Sequence, residues 1–467
     1  MLATSKTNKI ENTAILNDSK GHIRALWRIC FPLMLTALSG TLMAFLDRII
    51  LAKYDTQAMI AATIAANVVF IFQFGAMSIA MIAEVFVGQY NGAQQWKEIA
   101  KPVWQMIWFG LLCAFIMIPL GLFGETLFIP REFAKEGDPY FSWMMIFGPV
   151  FPVAAALSAF FIGRGKIKVV TLSVILGNIL NLLLGLLLVW GIPGILAPLG
   201  AKGAAIATGI AETCVVLGLL WVFLHPSNQE KYQTHVWHFN KDLFIKCIKI
   251  GFPNTVGHMI ATAAWAVLML FLAKRGLEHI TVISIGFSIW MLFSFITEGL
   301  QKGVTAIAAN CIGAKKQKYI SDVLMTGLKL QFLLAIILAV PLVIMPNVLV
   351  DFFIPLHSEG ADISHLRELV EMSCRWLWVA YIFDGMAWVI DGILTAAGDT
   401  RFIMFMNSIG TWVFCVAPIY LFVVIQDGAA MLTLQLITIY CLVLFASYYF
   451  RYRSNKWQNN LLVEPSV

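Results

Sequence analysis

The chain has 467 residues, 60% of them hydrophobic and 12% charged, against about 45–50% and about 25% in soluble domains. Together with a mean hydropathy of +0.82, this excludes an ordinary soluble enzyme or a disordered protein and leaves a polytopic membrane protein. The formal net charge is +6; its basic residues lie in loops on one side of the membrane, so it calls for no nucleic-acid partner.

Residues 1–27 are polar, without an apolar core or a small-residue cleavage site, so no removable signal peptide is read there and the first span acts as an uncleaved insertion signal. Apolar runs follow near 30–52, 57–86, 102–124, 140–163, 169–192 and 203–224, and again near 251–273, 281–310, 323–345, 372–397, 402–425 and 430–450. Each is long enough to cross about 30 Å of hydrocarbon at about 20 residues per span. The fold class is therefore all-α, with twelve transmembrane helices.

The two sets of six repeat one another. Arg28-Ile29-Cys30-Phe31-Pro32 returns as Lys249-Ile250-Gly251-Phe252-Pro253, and Gly92-Ala93 returns as Gly313-Ala314, both 221 residues later. The register then slips to 233, where Gly165 meets Gly398 and Gly177 meets Gly410. Lys and Arg cluster in the N-terminal tail, the loops after even-numbered spans and the C-terminal tail, as at Lys97, Lys101, Arg164, Lys166, Lys315 and Lys316. Basic loops stay on the cytoplasmic side, so both termini are expected there. An even number of spans per half makes the repeats parallel, related by an axis along the membrane normal. The expected division is a tail 1–28, a six-helix lobe 29–234, a second lobe 235–450 and a tail 451–467. The connector His225–Cys247 is expected to end in an amphipathic helix, and Ala361–Glu371 to form a short surface helix in the outer loop 346–370.

An acid near the bilayer centre costs on the order of 2.5–3.5 kcal/mol on insertion scales, which makes each one a functional candidate. Asp384 lies near mid-span, and Trp388 and Asp391 follow at i+4 and i+7 on the same helix face. Such a face could bind an organic cation or a coupling ion, or simply pack inward. Asp47 lies toward the outer end of the first span; Asn178 and Asn181 lie half-way along the fifth, where amides could coordinate an ion, bond an acid such as Asp47, or join helices. Glu212 is a second-rank candidate without a sequence-local partner. Glu298 is another, and with Lys302 at i+4 it reads first as an ion pair. Glu84 and Arg375 read as interfacial. Trp265, Trp290, Phe295 and Trp388 could offer cation–π faces to flat or cationic compounds. The eight cysteines have no close pairs, His225, His235 and His238 lack metal-ligand spacing, and there is no phosphate-binding Gly-Lys-Ser/Thr loop. Neither an enzyme nor an ATPase is expected, and no cofactor or metal.

The motifs resemble the multidrug and toxic compound extrusion (MATE) family over nearly the whole chain. Leu46-Asp47 before the alanine-rich Ala58 and Ala61-Ala62 is similar to that family's first-helix signature. Gly88-Gln89-Tyr90-Asn91-Gly92-Ala93 and Ala309-Asn310-Cys311-Ile312-Gly313-Ala314 resemble its paired loops, and Leu394-Thr395-Ala396-Ala397-Gly398-Asp399-Thr400-Arg401 its turn after the tenth helix. The resemblance implies a V-shaped, two-lobe antiporter of the inner (plasma) membrane, read here as monomeric. It would export amphipathic, cationic drugs or metabolites against H+ or Na+. By the same resemblance Asp47, Asn181, Thr208 and Asp384 take part in ion coupling or substrate binding. Two positions depart from the pattern: Gly185 stands where several members carry a second acid, and Ala261 where the sodium-binding branch has a glutamate. The alternative within the same architecture is an exporter or flippase of a lipid-linked or other specific metabolite, for which basic cavity walls would be expected.

Overall fold

The structure is a computed structural model describing residues 23–354, 361–459 and 462–463. Among the described residues all regular structure is helical, apart from one isolated bridge between Ile192 and Leu196. The first half runs α1 (Ile23–Tyr54), α2 (Thr56–Ala80), α3 (Ala83–Gly92), α4 (Ala100–Phe123), α5 (Ala134–Ile146), α6 (Val150–Ile162), α7 (Ile167–Trp190) and α8 (Gly200–Phe223). The second runs α9 (Lys241–Arg275), α10 (Leu277–Gly313), α11 (Ile320–Ala339), α12 (Ala361–Ala396), α13 (Thr400–Phe405) and α14 (Ala430–Arg453). Helices dominate because hydrocarbon offers backbone amides no partner, so each segment must satisfy its own.

Among the described residues eleven helices are long and apolar enough to cross a membrane, or twelve when a bent pair counts as one span. That pair contains α5 and α6, which meet at 42°. Gly148-Pro149 sits at the break, where Pro149 supplies no N–H to continue the ladder. After α13 the helix is wound as π turns at Met406–Gly410, Trp412–Val416 and Tyr420–Ile425. The apolar outer faces carry residues such as Phe115 and Phe123, each 78% exposed in the isolated chain, as lipid-facing side chains should be.

Three local expectations are corrected. Residues 361–371 are the first turns of α12 rather than a separate surface helix, since no Gly or Pro interrupts the chain between Ala361 and Asp384. The connector's short helix, Pro226–Tyr232, comes at its beginning, with Pro226 in the first turn and His225 Nδ1 accepting from the Ser227 N–H at 3.4 Å. Glu84 is buried at 3% exposure, in the first turn of α3, and is not interfacial.

The chain forms two compact units. One takes Leu35–Thr255 with Ala309–Lys315 and the described residues 462–463; the other takes the described residues up to Met34 with Val256–Ala308 and 316–459. The first turns of α1 and of α9 are thus exchanged between the repeats. In one unit Cys30 and Met34 of α1 lie against Gly303 and Gly299 of α10, and the Cys30 thiol points at the Leu300 carbonyl at 3.9 Å. In the other, Gly251 of α9 lies against Ile79 and Ile82, and Thr255 donates to Ser78 at 2.9 Å. At the offset of 221 Cys30 corresponds to Gly251, Met34 to Thr255, Ser78 to Gly299 and Ile82 to Gly303. The two crossings are the same contact, with the small residue moved to the opposite partner.

A second matched contact lies within the unit that holds both loop motifs. Gly92 rests on the Asn310 backbone carbonyl and Gly313 on that of Gln89, while Gln89 and Asn310 are themselves repeat equivalents. Asn91 Nδ2 donates to Asn310 Oδ1 at 2.6 Å, and Asn310 Nδ2 donates to the Gly163 carbonyl at 2.8 Å. Small residues permit this approach of helix backbones, and buried amides hold it. A methyl group on Gly313 would stand 2.6 Å from the Gln89 carbonyl carbon, where only backbone movement relieves it. Gly313→Ala is therefore expected to destabilise the purified protein by about 1–3 kcal/mol. Gly218→Ala, whose methyl meets nothing within 4 Å, should leave the thermal midpoint in detergent unchanged or higher.

Candidate functional site

Each unit has a cavity with polar side chains in a largely apolar wall. The first, about 280 Å³, is lined by Asp47 and Arg48 of α1, Tyr140 of α5, Asn178 and Asn181 of α7, and Thr208 and Glu212 of α8. Asn181 Nδ2 donates to Asp47 Oδ2 at 3.4 Å, and Thr208 Oγ1 donates to Asn181 Oδ1 at 3.5 Å. These long bonds arrange three helices around one carboxylate. Thr208 also bonds the Ala204 carbonyl at 3.1 Å, so its hydroxyl is held by its own helix. Asn178 turns elsewhere, donating to Ser39 Oγ at 2.6 Å. A Cβ on Gly185 would stand 3.9 Å from Asp47 Oδ1, so an acid at that position would abut Asp47. In this chain the cavity's second acid is Glu212, one turn beyond Thr208 on α8.

The second cavity, about 210 Å³, gathers Asp384, Trp388 and Asp391 of α12 with His258 and Trp265 of α9 and Trp290 of α10. Tyr440 and Tyr448 of α14 and Asn407 of the π-wound segment close it. Trp388 follows Asp384 by one helical turn on α12, and both line the cavity. Thr395 Oγ1 donates to Asp391 Oδ1 at 2.8 Å. The Tyr448 hydroxyl donates to Asn407 Oδ1 at 3.2 Å, while Asn407 Nδ2 is buried with no protein acceptor. That amide is a donor available to something occupying the cavity. The His258 ring stacks on the Trp388 indole, with centroids 5.9 Å apart and planes 22° from parallel.

The structure therefore brings Asp47, Asn178, Asn181, Thr208 and Glu212 together in one cavity, and Asp384, Trp388 and Asp391 in the other. Glu298 lines neither; it pairs with Lys302 at 2.5 Å, with both side chains partly exposed. Of the aromatic candidates Trp265 and Trp290 face the second cavity and Phe295 does not. Sequence reasoning missed Tyr140, His258, Asn407, Tyr440 and Tyr448. A histidine in a long apolar run was a signal for His258, three residues before Ala261 and seven before Trp265 on one helix face. The tyrosines and Asn407 carried no comparable mark, since π winding decides which way residue 407 faces.

The turn motif after α12 has a structural part. Asp399 accepts from Arg451 Nε at 2.7 Å and from Nη2 at 3.0 Å, tying that turn to the end of α14.

A family model described as MatE matches residues 32–187 and 253–421. A protein named as a probable multidrug resistance protein NorM, from Brucella suis, is 22% identical over 401 residues, covering 82% of this chain and 83% of that protein. The multidrug export protein MepA of Staphylococcus aureus is 23% identical over 394 residues, covering 81% of this chain and 82% of its own. A solved structure described as the outward-facing conformation of a multidrug resistance MATE family transporter superposes with a TM-score of 0.83 at 17% identity, over 95% of this chain and 98% of that one. That last likeness is one of fold.

The two ion pairs differ in burial, and their variants should differ accordingly. Glu298→Gln is expected to cost less than about 1 kcal/mol by thermal or chemical denaturation in detergent. Asp399→Asn, whose carboxylate is 6% exposed, should cost about 3 kcal/mol because it strands the Arg451 guanidinium.

Proposed function

Since the chain belongs to the MatE family of membrane transporters, we propose that it is an antiporter of the plasma membrane that exports amphipathic, cationic small molecules against an inward gradient of H+ or Na+. Access to the cavities alternates between the two sides of the membrane. The observation that carries this reading is that each unit holds its own cavity with two carboxylates in its wall. A bare carboxylate in a low-dielectric setting is costly, so an ion and a cationic substrate compete for it. The ion favours one orientation of the transporter and the substrate the other, and this differential affinity shifts the balance between them.

In the first cavity Asp47 is the ion-responsive acid, with Asn181 and Thr208 fixing its geometry and Glu212 adding a second charge. Asp384 and Asp391 supply the charge of the second, and Trp265, Trp290 and Trp388 supply aromatic faces on which a cation gains about 0.5–2 kcal/mol. A flippase for phosphate-bearing lipids would need basic walls. Among its described lining residues the second cavity has neither Lys nor Arg, and the first has Arg48 alone.

Proteoliposomes loaded with a fluorescent organic cation test the proposal under separate proton and sodium gradients. Wild type should export under one of the two, and Asp47→Asn or Asp384→Asn should each slow export by at least about tenfold, the loss of about 1.4 kcal/mol of coupling. Export under neither gradient, or both variants exporting normally, refutes it.

A further inference from the structure

We propose that His258 is the second cavity's internal cation: once protonated, it occupies the Trp388 face that a cationic substrate would use, and so couples proton entry to substrate release. The proposal rests on the export reading above and deepens it by naming the group that responds to protons.

The imidazole already stands where a bound cation belongs. It stacks on Trp388 with centroids 5.9 Å apart, inside the range of about 6 Å at which a cation is held by an indole face. Asp384 lies one turn before Trp388 on α12, so imidazole, indole and carboxylate share one cavity wall. The titratable groups facing His258 are Asp384 and Asp391 from α12 and Tyr440, Cys441 and Tyr448 from α14. The lining residues of α10, namely Ile283, Gly286, Phe287 and Trp290, carry no charge, and neither does Asn407. Among the described lining residues His258 is thus the one side chain that can become positive, and it faces two acids.

Unlike the side chains of Lys and Arg, imidazole occurs in proteins in both its neutral and its protonated form. In its neutral form His258 leaves the negative charge of the wall to an incoming organic cation. When its free ring nitrogen takes a proton, the imidazolium is held by the indole face and neutralises one carboxylate, and the substrate loses its partner. Release of that proton on the other side restores the site. One proton is thereby exchanged for one positive charge of substrate, with no bond made or broken apart from N–H. The position fits the chain's departure from the family pattern at Ala261: one turn earlier on the same face of α9 there is a base instead of an acid. An imidazolium repels sodium, so this cavity favours the proton as its coupling ion.

Equilibrium binding of tetraphenylphosphonium to the purified full-length protein at pH 8 and pH 5.5 provides the test. Wild type should bind about tenfold more weakly at the lower pH, where the imidazolium blocks the site. In His258→Gln the ratio between the two pH values should fall below about threefold, because glutamine keeps bulk and polarity but cannot take the charge. His258→Lys, positive at both pH values, should bind at least about tenfold more weakly than wild type even at pH 8. A wild-type pH ratio in His258→Gln overturns the inference, as does wild-type affinity at pH 8 in His258→Lys or no probe binding by wild type. pH-dependent binding that vanishes in His258→Gln, together with no gradient-driven export from proteoliposomes, upholds the inference and sinks only the export reading.

Discussion

The structure depends on the matched close approaches of helix backbone at the repeat ends. Helices in hydrocarbon gain little by hiding apolar surface from one another, so their association rests on fit and on buried hydrogen bonds. Gly92 on the Asn310 carbonyl, and Gly313 on that of Gln89, satisfy the first requirement; the Asn91–Asn310–Gly163 chain of amides satisfies the second. Cys30 on Gly303 and Gly251 on Ile82 do the same for the first turns of α1 and α9. Because these positions correspond at the offset of 221, one local solution is used twice. The alternation of small and large residue between partners keeps both crossings close without repeating the sequence.

From those anchored ends α1 carries Asp47 into the wall of the first cavity, and α9 carries His258 into that of the second. The scaffold repeats but its chemistry does not. Asp47 corresponds to Leu268, which is fully buried and lines no cavity; Asp384 corresponds to Phe151, which lines the first cavity as an apolar wall. The first cavity surrounds its acid with amides and a hydroxyl, as suits a small ion. The second surrounds its acids with indoles, phenols and an imidazole, as suits an organic cation and a proton.

The polar groups obey one energetic rule. A buried acid or amide persists only where neighbours share its cost, and most candidates have such a neighbour: Asn181 for Asp47, Thr395 for Asp391 and Lys302 for Glu298. Asn407 Nδ2, which has no acceptor, lies in a cavity, where an occupant can supply one.

Taken alone, the sequence determined the fold class, the number of spans and the doubled architecture, because hydrophobic run length, repeated Gly and Pro positions and basic loops are local properties that the bilayer reads directly. It also marked Asp47, Asp384, Trp388 and Asp391, since an acid in an apolar run stands out, and i+4 and i+7 spacing places residues on one face. The charged residues of 361–371 suggested a separate surface helix, yet the absence of Gly and Pro there lets α12 run on unbroken. Only the tertiary structure decided that Glu212 joins Asp47 while Glu298 stands apart, that Asn178 turns to Ser39, and that His258 lies on Trp388. These pairings join helices distant in sequence. Their angles are set by backbone approaches at a few glycines, by the 42° break at Gly148-Pro149 and by π turns, none of which hydropathy or helical periodicity encodes.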